Sequence, residues 1–347
     1  MIDRIISVLS QTLERMFNFI RLTNIENRKY WDLMTSIPTA RLPENIRKSC
    51  PKGIQKNAEF MAGYVRHITP QKDSVELIVT YKKRRNLMNM TAMGTSGVDV
   101  YSICDEKYIW RACVTPKSKN GMYAKLTING IKAREVVALF MPSFAQIDHI
   151  FVKKTEATPL DIQESSKRTM VVYGSSITQG CAGSRPGLNY VNILQNQYGY
   201  LVRNYGFSES AKGEKNVIEY IAKENADIYV LEYDHNATVL ELEKTHEQVY
   251  KTIRENNVDA YIILITRISG GISISDEEES RRYQIVYRTY KNACEKGDMR
   301  IGLIRGKNLV LGDPWGYLAD DRHPNDIGMK AIARSIHEKA EELCSSK

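Results

Sequence analysis

The chain has 347 residues, 42% of them hydrophobic and 26% charged, with a formal net charge of +8. That length gives room for two domains with an ample core, and the basic residues are scattered without aromatic interleaving, so no nucleic-acid partner is expected. Six cysteines, at positions 50, 104, 113, 181, 294 and 344, form no CxxC pair and no Cys/His cluster of ligand spacing, so they read as reduced structural thiols and no metal site is predicted.

Residues 1–30 form a first segment. Ile5, Ile6, Leu9, Leu13, Met16, Phe17 and Ile20 recur at three- and four-residue steps, the mark of an amphipathic helix. Its apolar stripe is expected to pack on the body of the chain or, failing that, against a second copy in a homo-oligomer; the mixed charges of its polar face disfavour a membrane surface. Asp3, Arg4, Glu14 and Arg15 interrupt the apolar run, so neither a signal peptide nor a membrane span is read here, and a cytoplasmic location is expected.

Residues 31–154 change to short β-type runs. Ser74–Tyr81, Tyr108–Val114, Ala124–Ile128, Glu135–Met141 and Ile147–Val152 are the candidate strands, Asn129-Gly130 reads as a hairpin turn and Lys82-Lys83-Arg84-Arg85 as a strand-end turn. With no long helical pattern between them, an antiparallel β-sandwich, jelly-roll-like, is predicted. Residues 155–167, polar and containing Pro159, are expected to be the linker.

Residues 168–347 alternate strands and helices. Met170–Tyr173, Tyr200–Tyr205, Ile228–Tyr233, Tyr261–Thr266 and Ile301–Ile304 are candidate strands, and helices are centred near Val191, Val217, Val249, Tyr287 and Ile332. The alternation predicts an α/β domain, a parallel sheet with helices on both faces, whose ligands bind at the carboxyl ends of the strands. Ser176 sits at the turn from the first of these strands into a helix, exposed and beside free N–H groups. Far downstream, Asp320 precedes His323 by three residues, a spacing that lets the carboxylate orient one ring nitrogen while the other takes a proton from a hydroxyl. Pro324 is expected to open the last helix and leave His323 on the loop before it.

Four blocks in order, GSSIT (174–178), NYGFSE (204–209), LEYDHN (231–236) and DDRHP (320–324), resemble the SGNH, or GDSL-type, hydrolase superfamily. The resemblance implies its flavodoxin-like fold, with Ser176 as nucleophile, His323 as general base and Asp320 as its orienting acid. It also implies an oxyanion site made by the N–H groups of Ser176 and Glu209 and the side chain of Asn236. Two positions depart from the pattern: Ser175 stands where many members carry Asp, and Glu209 where a glycine is usual. The Glu209 donor survives if that residue holds the required backbone angles. Gly97-Val98-Asp99-Val100-Tyr101 resembles the GxDLY motif of the sandwich domain that precedes the hydrolase domain in a bacterial subfamily, and Arg41-Leu42-Pro43 resembles that domain's opening. The sandwich is expected to be a buttress that lends residues to the rim of the cleft, or else a carbohydrate platform.

Together the motifs imply a serine esterase that removes a small acyl group, such as acetyl, from a carbohydrate or glycoside through an acyl-enzyme. The rival readings are an acyltransferase using the same residues and a catalytically weak sugar-binding protein. The expected partner is a small-molecule or oligosaccharide acyl ester, and no cofactor is needed. Arg185, in a GxxSRPG-like run, and Tyr190 are candidate substrate contacts, Arg185 having a bracing salt bridge as its alternative; Arg267 is a weaker candidate. His235 reads as a loop residue and Cys181 as packing.

Overall fold

The computed structural model describes residues 29–35, 38, 40–118, 120–161, 167–270, 274–310 and 313–345. The expected N-terminal amphipathic helix, and any oligomer contact made by it, lies outside the described residues. Among these residues, no helix is long and apolar enough to cross a membrane.

The first half is a sandwich of two antiparallel sheets. One has the order β1 (Tyr30–Asp32), β8 (Ala145–Lys153), β3 (Ser74–Arg84), β6 (Tyr123–Asn129). The other runs β5 (Lys107–Val114), β4 (Val98–Cys104), β7 (Val136–Phe140), β2 (Val65–Pro70), β9 (Ala157–Leu160). Period-2 alternation drives the packing: Val75, Leu77, Val79 and Tyr81 on one sheet meet Ile68, Val98, Val100, Val137 and Leu139 on the other in one dry cluster. Three short helices accompany the strands: α1 (Glu44–Ser49), α2 (Lys52–Ala58) and α3 (Ala92–Ser96).

Three expectations are corrected. Asn129-Gly130 does turn, with Gly130 at φ 73°, but β6 and β7 lie in different sheets, so it opens a crossover rather than a hairpin. Ile131, 1% exposed, packs into the cluster between the sheets and sends the chain across. The supposed linker contributes β9, which pairs antiparallel with β2; Pro159 is tolerated because β9 is an edge strand. The basic run is no turn either, since β3 extends through Arg84 and pairs with β8 up to Ala145.

The second half is an α/β layer. Its five parallel strands, β10 (Thr169–Gly174), β11 (Leu201–Gly206), β12 (Ile228–Glu232), β13 (Tyr261–Ile265) and β14 (Ile301–Ile304), take the order β11-β10-β12-β13-β14. This is the flavodoxin-like 2-1-3-4-5 order, with its switch point between β10 and β12. Successive residues point to opposite faces and so build two cores. Val171, Tyr173, Tyr229 and Leu231 pack with α6 (Lys215–Ile221), α7 (Val239–Asn256) and α8 (Asp276–Glu295). Met170, Val172, Ile228 and Val230 pack with α5 (Tyr190–Asn196) and α10 (Asp326–Ser345). Two single-turn helices, α4 (Ser176–Gln179) and α9 (Pro314–Tyr317), complete the layer.

The motif GVDVY joins the two halves. Asp99 of β4, fully buried, accepts from Trp110 Nε1 at 2.7 Å, from Arg185 at 2.6 Å and from the Gly187 N–H at 2.9 Å. The Arg185 guanidinium also lies over the Trp110 ring, 4.8 Å from its centre. Gly187 must be glycine, since a Cβ there would come within 2.4 Å of the Tyr101 hydroxyl and 2.7 Å of the Asp99 carboxylate. Arg41 makes a second joint: buried, it donates to the carbonyls of Phe60, Asn57 and Asn204, each at 2.8 Å.

Candidate active site

The chain turns sharply where β10 ends because the last residue of that strand has no side chain. A Cβ on Gly174 would fall 2.0 Å from Thr178 Oγ1 and 2.9 Å from the Glu232 carbonyl. Ser175 then caps α4, its hydroxyl accepting from the Ile177 N–H at 3.1 Å. That leaves Ser176 as the first helical residue, 8% exposed at the mouth of the sheet.

His323 arrives from the loop before α10. Its Nε2 lies 2.9 Å from Ser176 Oγ, and its Nδ1 lies 2.8 Å from Asp320 Oδ2 and 3.0 Å from Oδ1. An ionised carboxylate only accepts, so Nδ1 carries the proton and Nε2 is left to accept from the serine hydroxyl. Partial burial pushes the Asp320 carboxyl up, but the backbone N–H groups of Arg322 (3.0 Å) and His323 (2.8 Å), with the imidazole, outweigh it and hold it down to about 2. Pro324 does not open the helix as expected. Asn325 caps α10, accepting from the N–H groups of Ile327 at 2.9 Å and Gly328 at 3.2 Å, while Pro324 bridges back to Leu318.

The strand order brings the three expected oxyanion donors to neighbouring loops: Glu209 follows β11, Ser176 follows the adjacent β10, and Asn236 follows β12 on the other side. Glu209 adopts φ 61°, the left-handed angle that a glycine would take without strain. Its flanks are pinned, the Ser208 N–H donating to Gln179 at 2.9 Å and the Ser208 carbonyl accepting from Asn57 at 2.8 Å. Asn236 Nδ2 donates to the Phe207 carbonyl at 3.0 Å, tying the β12 loop to the β11 loop. Among the described residues, the N–H groups of Ser176 and Glu209 have no acceptor.

Beneath Ser176 lies a carboxyl that sequence reasoning did not single out. Glu232, 2% exposed at the end of β12, accepts from Ser175 Oγ at 2.9 Å and Thr178 Oγ1 at 2.7 Å. Burial pushes it up to about 7, although those hydroxyls and the Ser175 N–H pull the other way. His235, whose Nε2 accepts from the Ile268 N–H at 3.1 Å, is driven well below its ordinary range by burial and then by Arg267.

The two residues expected to meet substrate are both engaged within the chain. Tyr190 is fully buried under the site, its hydroxyl 2.6 Å from Thr178 Oγ1, so it has no surface to offer a substrate. Arg185 is committed to Asp99 and Tyr101; the bracing salt bridge is the arrangement present. Arg267, 6% exposed, has its backbone N–H held by Asp234 at 3.0 Å. Cys181 is buried, which raises its thiol to about 11. Among the described residues, no group of three or more His, Cys, Asp or Glu side chains is arranged to hold a metal. Asn57 and Gln179, which pin the Ser208–Glu209 turn, carried no sequence signal, because their partners are about 150 and 29 residues away.

Residues 167–341 match a family described as GDSL-like lipase/acylhydrolase, and residues 18–157 match the GxDLY family described as the N-terminus of SGNH-hydrolase-type esterases. No curated protein matches the chain. Among solved structures, a GDSL-like lipase from Bacteroides ovatus aligns at TM-score 0.82 and 21% identity, over 91% of this chain and 98% of that one. A salicylyl-acyltransferase from a tetracycline biosynthetic pathway aligns at 0.72 and 18%, over 88% and 89%. A family two carbohydrate esterase from Clostridium thermocellum, in complex with cellohexaose, aligns at 0.55 and 13%, over 81% and 92%. At such identities the likeness is one of fold.

Proposed function

Since the chain belongs to the GDSL-like lipase/acylhydrolase family, we propose that it is a serine esterase that removes a small acyl group, acetyl first among them, from a carbohydrate or glycoside. The observation that carries this reading is the continuous chain Ser176–His323–Asp320, with contacts of 2.9 and 2.8 Å, at the carboxyl end of the sheet.

In the proposed reaction His323 Nε2 takes the Ser176 proton as Oγ attacks the ester carbonyl. The carbonyl oxygen becomes an oxyanion that accepts from the N–H groups of Ser176 and Glu209 and from the amide of Asn236. His323 protonates the leaving alcohol, and the acyl group stays on Ser176. Water, deprotonated by His323, then releases the acid and restores the serine. Asp320 holds the tautomer and stabilises the imidazolium in both halves. Glu209 holds φ 61° with its N–H unpaired among the described residues, which supports turnover over mere binding.

The carbohydrate class rests on the fold shared with a carbohydrate esterase, and the acyltransferase alternative on the fold shared with a salicylyl-acyltransferase. One experiment separates them. The parent and Ser176→Ala proteins are incubated with a short-chain aryl ester and a panel of acetylated sugars, with and without alcohol acceptors, at neutral pH. Acid release by the parent, lowered about 10⁴-fold or more in the variant, is expected. Acyl transfer that requires the acceptor would identify a transferase, and equal silence of both proteins would overturn the esterase.

A further inference from the structure

Asp320 is a poorly sheltered member of its set, with a side chain 38% exposed, against 17% for His323. Water competes for an exposed carboxylate, and a carboxylate free to rotate about its last bond holds an imidazole loosely. The backbone N–H groups of Arg322 and His323 fix Oδ1 from its own loop. Oδ2, the oxygen nearer His323 Nδ1, has one further donor, and it comes from the other half of the chain. Asn89 Nδ2, in the turn between β3 and α3 of the sandwich, donates to Oδ2 at 2.9 Å and lies 3.4 Å from His323 Nδ1.

The amide of Asn89 is itself held. Its Nδ2 and Oδ1 lie 3.6 and 3.8 Å from the Sγ of Cys181, and the Cys181 N–H donates to the Ser176 carbonyl at 2.8 Å. The contacts thus close a ring: Ser176 to His323, His323 to Asp320, Asp320 to Asn89, Asn89 to Cys181, and Cys181 back to the nucleophile's own backbone. Only Asn89 in this ring belongs to the sandwich. An aspartate at 89 would set two carboxylates about a hydrogen-bond length apart, so the position requires a neutral donor.

We propose that Asn89 is a positioning residue for acyl transfer: it fixes the plane of the Asp320 carboxylate, and through it His323, and makes the sandwich domain part of the catalytic apparatus. This inference rests on Ser176, His323 and Asp320 being the reacting set.

The test is a double-substitution cycle with a short-chain aryl ester on the full chain. A hydrogen bond to a charged group is worth about 10- to 100-fold, so Asn89→Ala is expected to lower kcat by that factor, with KM within about twofold and the melting temperature lowered by only a few degrees. Asn89→Asp is expected to lose more than alanine, and Asn89→Gln to recover part of the loss. In an Asp320→Ala background, Asn89→Ala is expected to cost less than about twofold, because the group it acts on is gone. An undiminished loss in that background, a loss confined to KM, or an unchanged kcat in the single variant overturns the proposal.

A second arm needs no turnover. The side-chain amide resonances of Asn89, identified by their disappearance in Asn89→Ala, are expected to shift and exchange faster with solvent in Asp320→Ala; unchanged resonances also overturn the proposal. If the parent protein shows no ester turnover, the esterase reading fails on its own account while this arm still decides whether Asn89 holds Asp320.

Discussion

Glu209 permits a prediction in which backbone and charge can be separated. Its left-handed φ of 61° costs an L-residue about 1–2 kcal/mol, a strain that glycine does not carry. Against this, glycine adds about 0.4–1 kcal/mol of unfolded-chain freedom that folding must remove. Glu209→Gly is therefore expected to change stability by between zero and about +1.6 kcal/mol. On turnover, the same change removes an exposed carboxylate from beside the proposed oxyanion. At roughly 7 Å in solvent-like dielectric that repulsion is about 0.6 kcal/mol, a factor of about three in kcat. Glu209→Gln is expected to give the kinetic gain without the change in stability, and added salt to shrink the gain by screening the carboxylate in the parent. Denaturant midpoints and aryl-ester kcat for the three proteins, at low and at physiological ionic strength, check each part. A tenfold or greater fall in kcat for both variants would refute the reasoning, since it would mean that the carboxylate itself takes part in the reaction.

Two further predictions concern groups beneath and beside the site. Glu232, raised by burial to about 7 from the ordinary 4.5, keeps its proton in the folded chain where the unfolded chain has lost it. Stability should therefore fall as pH rises from about 4.5 to about 7, by an amount on the order of 3 kcal/mol, and Glu232→Gln should flatten that slope; an unchanged slope in urea titrations at pH 5 and pH 8 would assign it to other groups. Arg185→Ala leaves the fully buried Asp99 with the Trp110 and Gly187 donors but no cation, so a loss of about 3 kcal/mol in denaturant unfolding is expected, with ester KM unchanged. A tenfold rise in KM at unaltered stability would instead make Arg185 a substrate contact.

What could be read from the sequence follows from the range of the interactions. The turn at Ser176 and the Asp320–His323 spacing are local, written in residues a few positions apart, and the alternation of strands and helices restricts the sheet to a few orders. Tyr190 was misplaced because helical periodicity does not say which face lies under the sheet, and only the contact with Thr178 shows that it faces inward. For β9, the proline that signals a linker equally signals an edge strand. At Asn129-Gly130 the turn chemistry was legible, but the destination of the next strand was set by the burial of Ile131. Asn89 left no trace at all, as its partner Asp320 is 231 residues away and no pattern near either residue encodes the other.

These long-range contacts bear on why the two halves form one site. The loops at the carboxyl end of an α/β sheet are the segments with least packing of their own. Here the first half of the chain restrains three of them at four places: Asp99 holds Arg185 and Gly187 and Ser143 accepts from Gln179 of α4 at 3.0 Å, both after β10, while Asn57 holds Ser208 and Asn89 holds Asp320. Gln179 is used twice, since its Oε1 accepts from the Ser208 N–H while its Nε2 donates to the sandwich. Two neutral hydrogen bonds, about 1 kcal/mol each, match the strain of one left-handed residue. Glu209 can therefore stand where glycine is usual because the turn around it is braced by Gln179 and by Asn57, the latter supplied by the half of the chain that carries none of the reacting groups.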